Sequence, residues 1–78
     1  MGQFFFDFRD DGTLVSDDVG GELPTREKGR EEAIGALALL MKDRRPYGDQ
    51  RTFAVDMRDD SGRIIFTATL TLTAHWTE

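Results

Sequence analysis

The sequence predicts a small α+β domain in which two β-hairpins flank one α-helix (ββαββ), giving an antiparallel four-stranded sheet with the helix on one face. Two stretches, residues 3–15 and 51–76, alternate apolar with polar side chains at the period of a half-buried strand. Between them, residues 25–43 place apolar side chains on one arc of about 200° around a helix, which is wide enough to cover a sheet. The 78 residues have room for one domain with one compact core.

The first hairpin begins the chain. Residues 3–9 alternate, and the buried face of this strand carries Phe4, Phe6 and Phe8. Residues 10–12, Asp-Asp-Gly, predict a short turn in which glycine takes a positive φ angle without steric cost. Residues 13–15 return as a brief second strand.

Residues 16–24 are rich in Asp and Gly, a composition that predicts a connecting loop. The helix is expected from Thr25, its N-cap, to about Asp43. Gly29 and Gly35 each weaken it by about 1 kcal/mol relative to alanine, so its stability depends on docking onto the sheet. Its apolar arc consists of Ala33, Ile34, Ala36, Leu37, Ala38, Leu40 and Met41.

The second hairpin follows Pro46, which is expected to end the helix, and a connection at 46–50. Its strands are predicted at residues 51–58 and from 64 onward, joined by a turn at 59–62. If Arg58 faces Arg63, the third strand ends opposite residue 70, which leaves residues 71–76 without a partner. A strand order of 2-1-3-4 keeps all neighbours antiparallel.

The two hairpins share a local motif. Residues 6–11 and 55–60 both read apolar-Asp-apolar-Arg-Asp-Asp, followed by glycine and an apolar return. Duplication and convergent turn chemistry account for this similarity about equally well. The predicted core consists of Phe4, Phe6, Phe8, Leu14, Ala33, Ile34, Leu37, Leu40, Met41, Phe53, Val55, Met57, Ile64, Phe66, Ala68 and Leu70.

Composition excludes several classes of function. There is no cysteine and only one histidine, His75, so neither a thiolate nor a multi-histidine metal site can form within one chain. A net charge of −5 repels polyanions, which argues against nucleic acid or an anionic membrane as partner and suits a basic protein better. The first residues lack a basic segment followed by a long apolar run, so we expect no signal peptide and a cytoplasmic location.

The sequence shows no signature of catalysis or of a bound cofactor. The aspartate pairs at 10–11, 17–18 and 59–60 lack the spacing of a calcium-binding loop, and turns use Asp and Gly for backbone reasons alone. No nucleophile motif or phosphate-binding glycine loop occurs. We therefore expect no enzyme activity, no metal and no cofactor.

The chain resembles a family of small uncharacterised alphaproteobacterial proteins, a domain of unknown function. The resemblance rests on the opening Phe4-Phe5-Phe6-x-x-Arg9-Asp10-x-Gly12, on Asp17, Gly20-Gly21 and Glu22-Leu23-Pro24 before the helix, and on residues 55–64. It covers nearly the whole chain and departs from the pattern at Thr25, at the two helix glycines and in a longer tail at 71–78. It implies the hairpin, helix, hairpin arrangement and no catalytic residue.

Two functional hypotheses follow. The first is a non-catalytic, self-associating protein-interaction module, suggested by apolar residues that the predicted core leaves over. These are Phe5 and Ile65 on the outer sheet face, Leu39 on the outer helix face, and Leu72, Ala74 and Trp76 in the last strand. In this hypothesis residues 71–76 pair with, or pack against, a second copy to form a homodimer. The alternative is an acidic, antitoxin-like regulator that neutralises a basic protein partner.

Overall fold

The computed structural model describes residues 2–43 and 49–78, which form one helix and five strands. The elements are β1 (Gly2–Asp10), β2 (Thr13–Val15), β3 (Gly21–Leu23), α1 (Arg26–Asp43), β4 (Gln50–Arg58) and β5 (Ile64–Thr73). All paired strands are antiparallel, in the order β2-β1-β4-β5, and β3 pairs with the beginning of β1. The predicted α+β class and the order of the four predicted strands are confirmed, and β3 adds a fifth strand.

The first hairpin turns at two residues with positive φ angles, Asp11 at 47° and Gly12 at 92°. This conformation matches the twist of the flanking strands. It sets Val15 opposite Phe8 and Leu14 opposite Arg9. Val15 therefore shares the helix-facing side of the sheet with Phe8, whereas Leu14 lies on the outer side.

The second hairpin corrects the predicted register. Arg58 pairs with Ile64, but Met57 pairs with Phe66, so Ile65 is an extra residue at a β-bulge. The longer turn and the bulge together shift the remaining pairs by two residues from those predicted. β4 consequently pairs with β5 as far as Thr73. Residues 71–73, predicted to lack a partner, are paired within the chain.

The helix begins as predicted, because the Thr25 hydroxyl oxygen accepts a hydrogen bond from the Lys28 backbone N–H at 3.1 Å. Gly29 is buried, and a Cβ added there would lie 2.5 Å from the sulfur of Met57. Gly35 has open space around it. Gly29 thus permits close packing of α1 on β4, whereas Gly35 takes no part in that packing. The predicted helix stop at Pro46 lies outside the described residues.

The core lies where α1 packs on β4 and β5. Its buried apolar residues are Phe4, Ala33, Leu37, Phe53, Ala54, Val55 and Met57, with Phe6, Phe8, Leu40, Met41, Phe66 and Ala68 partly buried around them. Ala54 was missed, since it is buried on the outer face between neighbouring strands. Within residues 2–43 and 49–78, no helix is long and apolar enough to cross a membrane.

The prediction of burial is wrong for four residues, because Leu14, Ile34, Ile64 and Leu70 are exposed. Leu14 lies on the outer side of the sheet, and Ile64 lies beside the bulge. Ile34 lies at the margin of the helical arc, where it does not reach the sheet. Leu70 lies on β5 at the edge of the sheet. The loop predicted at 16–24 was also partly wrong, because residues 21–23 form a strand by pairing with residues 2–4 of β1.

Candidate functional site

The duplicated sequence motif forms a reciprocal pair of ion bridges on the outer face of the sheet. β1 and β4 pair antiparallel with Asp7 opposite Asp56, which are equivalent positions of the two copies. Each aspartate therefore meets the arginine of the other copy. Arg58 Nε lies 2.7 Å from Asp7 Oδ2, and Arg9 Nη2 lies 3.1 Å from Asp56 Oδ1. The ion pairs of the duplicated motif thus join the two hairpins.

Asp7 is the centre of a larger network. Besides two hydrogen bonds from Arg58, its carboxylate accepts one from the Asp17 backbone N–H at 2.9 Å and one from the Ser16 hydroxyl at 3.4 Å. Arg58 also donates to the Asp17 carbonyl at 2.9 Å. The Arg58 bond lowers the pKa of Asp7, although burial opposes this shift. The ionised carboxylate fixes the segment that connects β2 to β3.

Asp17 holds the same segment from its other side. Its carboxylate accepts backbone hydrogen bonds from Phe6, Val19 and Gly20, each at 3.0 Å. These bonds lower the pKa of Asp17, and the bond from Gly20 has the largest effect. Gly20 has a φ angle of 71°, and an added Cβ would lie 2.7 Å from the Phe5 ring, so both conformation and space favour glycine here.

Three further turn aspartates, Asp10, Asp11 and Asp59, also bond within the chain. Asp10 and Asp11 both contact Arg51, at 2.8 and 2.6 Å. Asp59 accepts hydrogen bonds from the Ser61 hydroxyl and from the backbone of residues 61 and 63, and the Ser61 bond is the main cause of its lowered pKa. In the described ranges, 2–43 and 49–78, no three acidic or histidine side chains are arranged to hold a metal ion.

A groove lies on the helix side of the sheet, beside α1. Because α1 packs mainly on β4 and β5, the helix-facing side of β1 and β2 is left open. Two adjoining cavities, of about 500 and 260 Å³, occupy this space and share Phe8, Val15 and Ala36 in their walls. The described residues that line them are Phe6, Phe8, Asp10, Val15, Ser16, Asp17, Gly20, Gly21, Leu23, Glu32, Ala36, Leu39, Leu40 and Asp43.

The chemistry of this groove is apolar with an acidic rim. Phe6, Phe8 and Val15 form its floor. Among the residues that the structure describes, the charged ones in its lining are all acidic: Asp10, Asp17, Glu32 and Asp43. The groove is therefore suited to an apolar group that carries positive charge at its borders.

β5 forms the long free edge of the sheet, whereas the opposite edge consists of the three-residue strands β2 and β3. The Ala74 N–H donates to the Asp49 carbonyl at 2.8 Å, so Ala74 belongs to a hydrogen-bonded pair with β4. In an antiparallel ladder, bonded and non-bonded pairs alternate. The backbone N–H and C=O groups of residues 67, 69, 71 and 73 therefore point away from β4, toward the open edge. All four residues are threonine.

The predicted interaction residues of the sheet are partly used within the chain. Phe5 is half-buried, with the Arg58 guanidinium 5.0 Å from its ring centre. Ile65 is half-buried at the bulge and lines a cavity with Arg26 and Glu27. Leu72 is half-buried opposite Arg51.

The other predicted interaction residues are exposed. Leu39 is 59% exposed and lines the smaller cavity of the groove. Trp76 is 90% exposed and lines a separate cavity with Asp49, Ala74 and His75. Leu39 thus lies in the groove, whereas Ala74 and Trp76 lie together at a separate cavity near the end of β5.

Sequence reasoning did not identify the groove, because it assigned Phe6 and Phe8 to the core and left Val15 unassigned. The dimensions of the predicted elements could nevertheless have revealed the groove. One helix is about 10 Å wide, and strands lie about 4.8 Å apart, so a single helix covers about two strands of a four-stranded sheet. The remaining strands must expose one apolar face.

The fold defines a small α+β domain, with one helix on one face of an antiparallel sheet. Residues 3–71 match the family model described as Domain of unknown function (DUF6894), so the chain belongs to this family. The resemblance seen in the sequence predicted a domain of unknown function, and the match confirms it at that level. Comparisons with curated proteins and with solved structures gave no match.

Proposed function

We propose that this protein is a non-catalytic, cytoplasmic protein-interaction module that self-associates as a homodimer through the free edge of β5. The observation that carries the proposal is the composition of that edge. β5 spans ten residues, Ile64–Thr73, and contains neither a charged residue nor proline. Native edge strands are usually protected by such residues, by bulges or by a covering segment. Here only the bulge at Ile65 interrupts the edge.

The geometry of β5 suits a two-fold axis. Two β5 strands related by a two-fold axis run antiparallel, and each contributes the outward N–H and C=O groups of its four threonines. The threonine side chains would lie together on the outer face, where cross-strand threonine pairs are favourable. On the other face, Leu70, now 37% exposed, would approach its equivalent. This arrangement replaces the sequence-based one, in which residues 71–76 alone made the contact.

The chemistry of the aspartates supports a non-catalytic role. A general acid needs a carboxyl group whose pKa is raised toward neutrality. Three carboxyl groups, those of Asp7, Asp17 and Asp59, have lowered pKa values, because they accept hydrogen bonds from backbone, arginine or serine donors. Their arrangement serves the fold. We also propose that the protein is of alphaproteobacterial origin, as its opening motif suggests.

Sedimentation equilibrium tests the proposed dimer. The informative variant is Thr69→Pro, because proline removes one outward N–H and fills the edge while leaving the β4–β5 hydrogen bonds in place. Thr69→Val is the matched control, since it keeps the N–H and the strand propensity. We expect the wild type and Thr69→Val to be dimers at tens of micromolar and Thr69→Pro to be a folded monomer. A monomeric wild type, or a Thr69→Pro dimer, would contradict the proposal.

A further inference from the structure

We propose that the groove between α1 and the β1–β2 hairpin binds an amphipathic helix of a partner protein, with leucine-like side chains on one face and lysine or arginine along its flanks. The inference rests on the proposed interaction function and names the partner's chemistry. It also gives a structural basis to the alternative hypothesis of an acidic regulator with a basic partner.

The width of the open face selects a helix. Neighbouring strands lie about 4.8 Å apart, so β1 and β2 together span about 10 Å, which matches the usual distance of 8–10 Å between packed helices. A helix lying beside α1 would cover Phe6, Phe8 and Val15 in one layer. The sheet would then carry two helices on one face.

The length of the groove sets the length of the partner helix. Glu32 and Asp43 line its two ends on α1. These residues are eleven positions apart, or about 16 Å at 1.5 Å per residue. The occupant is therefore a helix of about three turns, which presents three or four apolar side chains at positions i, i+3 or i+4, and i+7.

Charge distinguishes a basic partner from a second copy. Asp10 and Asp17 already bond within the chain, so Glu32 and Asp43 are the carboxylates that an incoming helix meets along α1. The chain's own helix is not a basic one, because its four basic residues are balanced by four acidic residues, and a second copy would bring a net charge of −5 toward the acidic rim. A helix with lysine or arginine along its flanks would instead be attracted.

The test uses synthetic peptides of about three helical turns with a fluorescent label. One carries leucines at helical spacing with lysine flanks, the second replaces each lysine with glutamate, and the third replaces the leucines with serine. Fluorescence anisotropy with the full chain measures their affinities over a range of salt concentrations. We expect the leucine–lysine peptide to bind about tenfold or more tighter than either control, with an affinity that falls as salt rises.

Matched variants locate the binding site. Leu39→Lys adds a charge to an exposed groove residue and should lower the affinity about tenfold or more. Ile34→Lys places the same charge at a 44% exposed residue of α1, which does not line the groove, and should have little effect. Glu32→Gln/Asp43→Asn should weaken binding and flatten its salt dependence, whereas Glu27→Gln/Glu31→Gln changes the net charge equally and should not.

Each alternative occupant gives a distinct result that overturns the inference. Equal binding of the lysine and glutamate peptides would indicate a purely apolar ligand. Binding unaffected by Leu39→Lys would place the site elsewhere, and no binding would remove it. A change of oligomeric state in Leu39→Lys would assign the groove to a second copy. Because sedimentation alone tests the dimer, the failure of one proposal is separable from that of the other.

Discussion

Replacing Asp7 with asparagine tests the network that joins the two hairpins. Asp7 and Asp56 occupy equivalent positions, and their side chains are similarly shielded, at 12% and 14% exposure. They differ in their bonds. Asp7 accepts four hydrogen bonds, two of them from Arg58, whereas Asp56 accepts one from the more exposed Arg9 and one from Thr67. Asp56→Asn is therefore the matched control.

The expected cost follows from these bonds. Hydrogen bonds to charged groups contribute about 1.5–3 kcal/mol where they are shielded, and an exposed ion pair contributes about 0–1 kcal/mol. Asparagine keeps one acceptor oxygen but loses the charge and directs an amide toward other donors. We expect Asp7→Asn to lower the free energy of unfolding by about 2–3 kcal/mol and Asp56→Asn by about 1 kcal/mol or less.

The pH dependence gives a second measure of the same network. Because the folded state lowers the pKa of Asp7 below its ordinary value of 3.8, the contribution of Asp7 to stability is fully present above that value. It is lost as the pH falls through the lower pKa of the folded state. Asp7→Asn should therefore lose less stability than the wild type on acidification below about pH 4.

The assay is urea unfolding followed by far-ultraviolet circular dichroism, since Trp76 is exposed and its fluorescence would report poorly on the core. Unfolding at neutral pH and at several acidic pH values yields both quantities. Equal costs for Asp7→Asn and Asp56→Asn would refute the assigned role of the network. An acid slope unchanged in Asp7→Asn would refute the lowered pKa of Asp7.

Three further predictions concern packing and metal. Gly35→Ala should raise stability by about 0.5–1 kcal/mol through helix propensity alone, whereas Gly29→Ala should fall short of that gain because its methyl group meets Met57; thermal melts of the two variants decide. Phe53→Ala, at a fully buried position, should cost about 3–5 kcal/mol in urea unfolding, and Leu14→Ala, at 62% exposure, far less. Mg²⁺ or Ca²⁺ at up to about 1 mM should leave the melting temperature unchanged; a rise of several degrees that Asp59→Asn abolishes would contradict the turn interpretation.

Local signals in the sequence predicted most of the fold. The alternation of Phe4, Phe6 and Phe8, the Asp11-Gly12 turn and the Thr25 cap each depend on neighbouring residues, and each is observed. β3 was missed because residues 20–21 favour a turn, and a short strand there exists only by pairing with β1.

The register of the second hairpin could not be predicted, because a bulge leaves the alternation on each side intact while shifting the pairs. Ile65 is apolar and could have occupied either face. Because of this shift, the proposed dimer contact is the whole outer edge of β5 and not residues 71–76 alone. The groove was predictable in principle from the widths of a helix and a sheet, but its acidic rim depends on which carboxylates converge from α1, β1 and the β2–β3 connection.

Amide hydrogen exchange along β5, measured residue by residue by NMR at low and high protein concentration, tests the proposed edge pairing most directly. Residues 66, 68, 70 and 72 bond to β4 and should be protected at both concentrations. Residues 67, 69, 71 and 73 point to the open edge, so we expect them to exchange rapidly in dilute protein and to become protected as the dimer forms. Rapid exchange of these four threonine amides at every concentration would contradict the proposal.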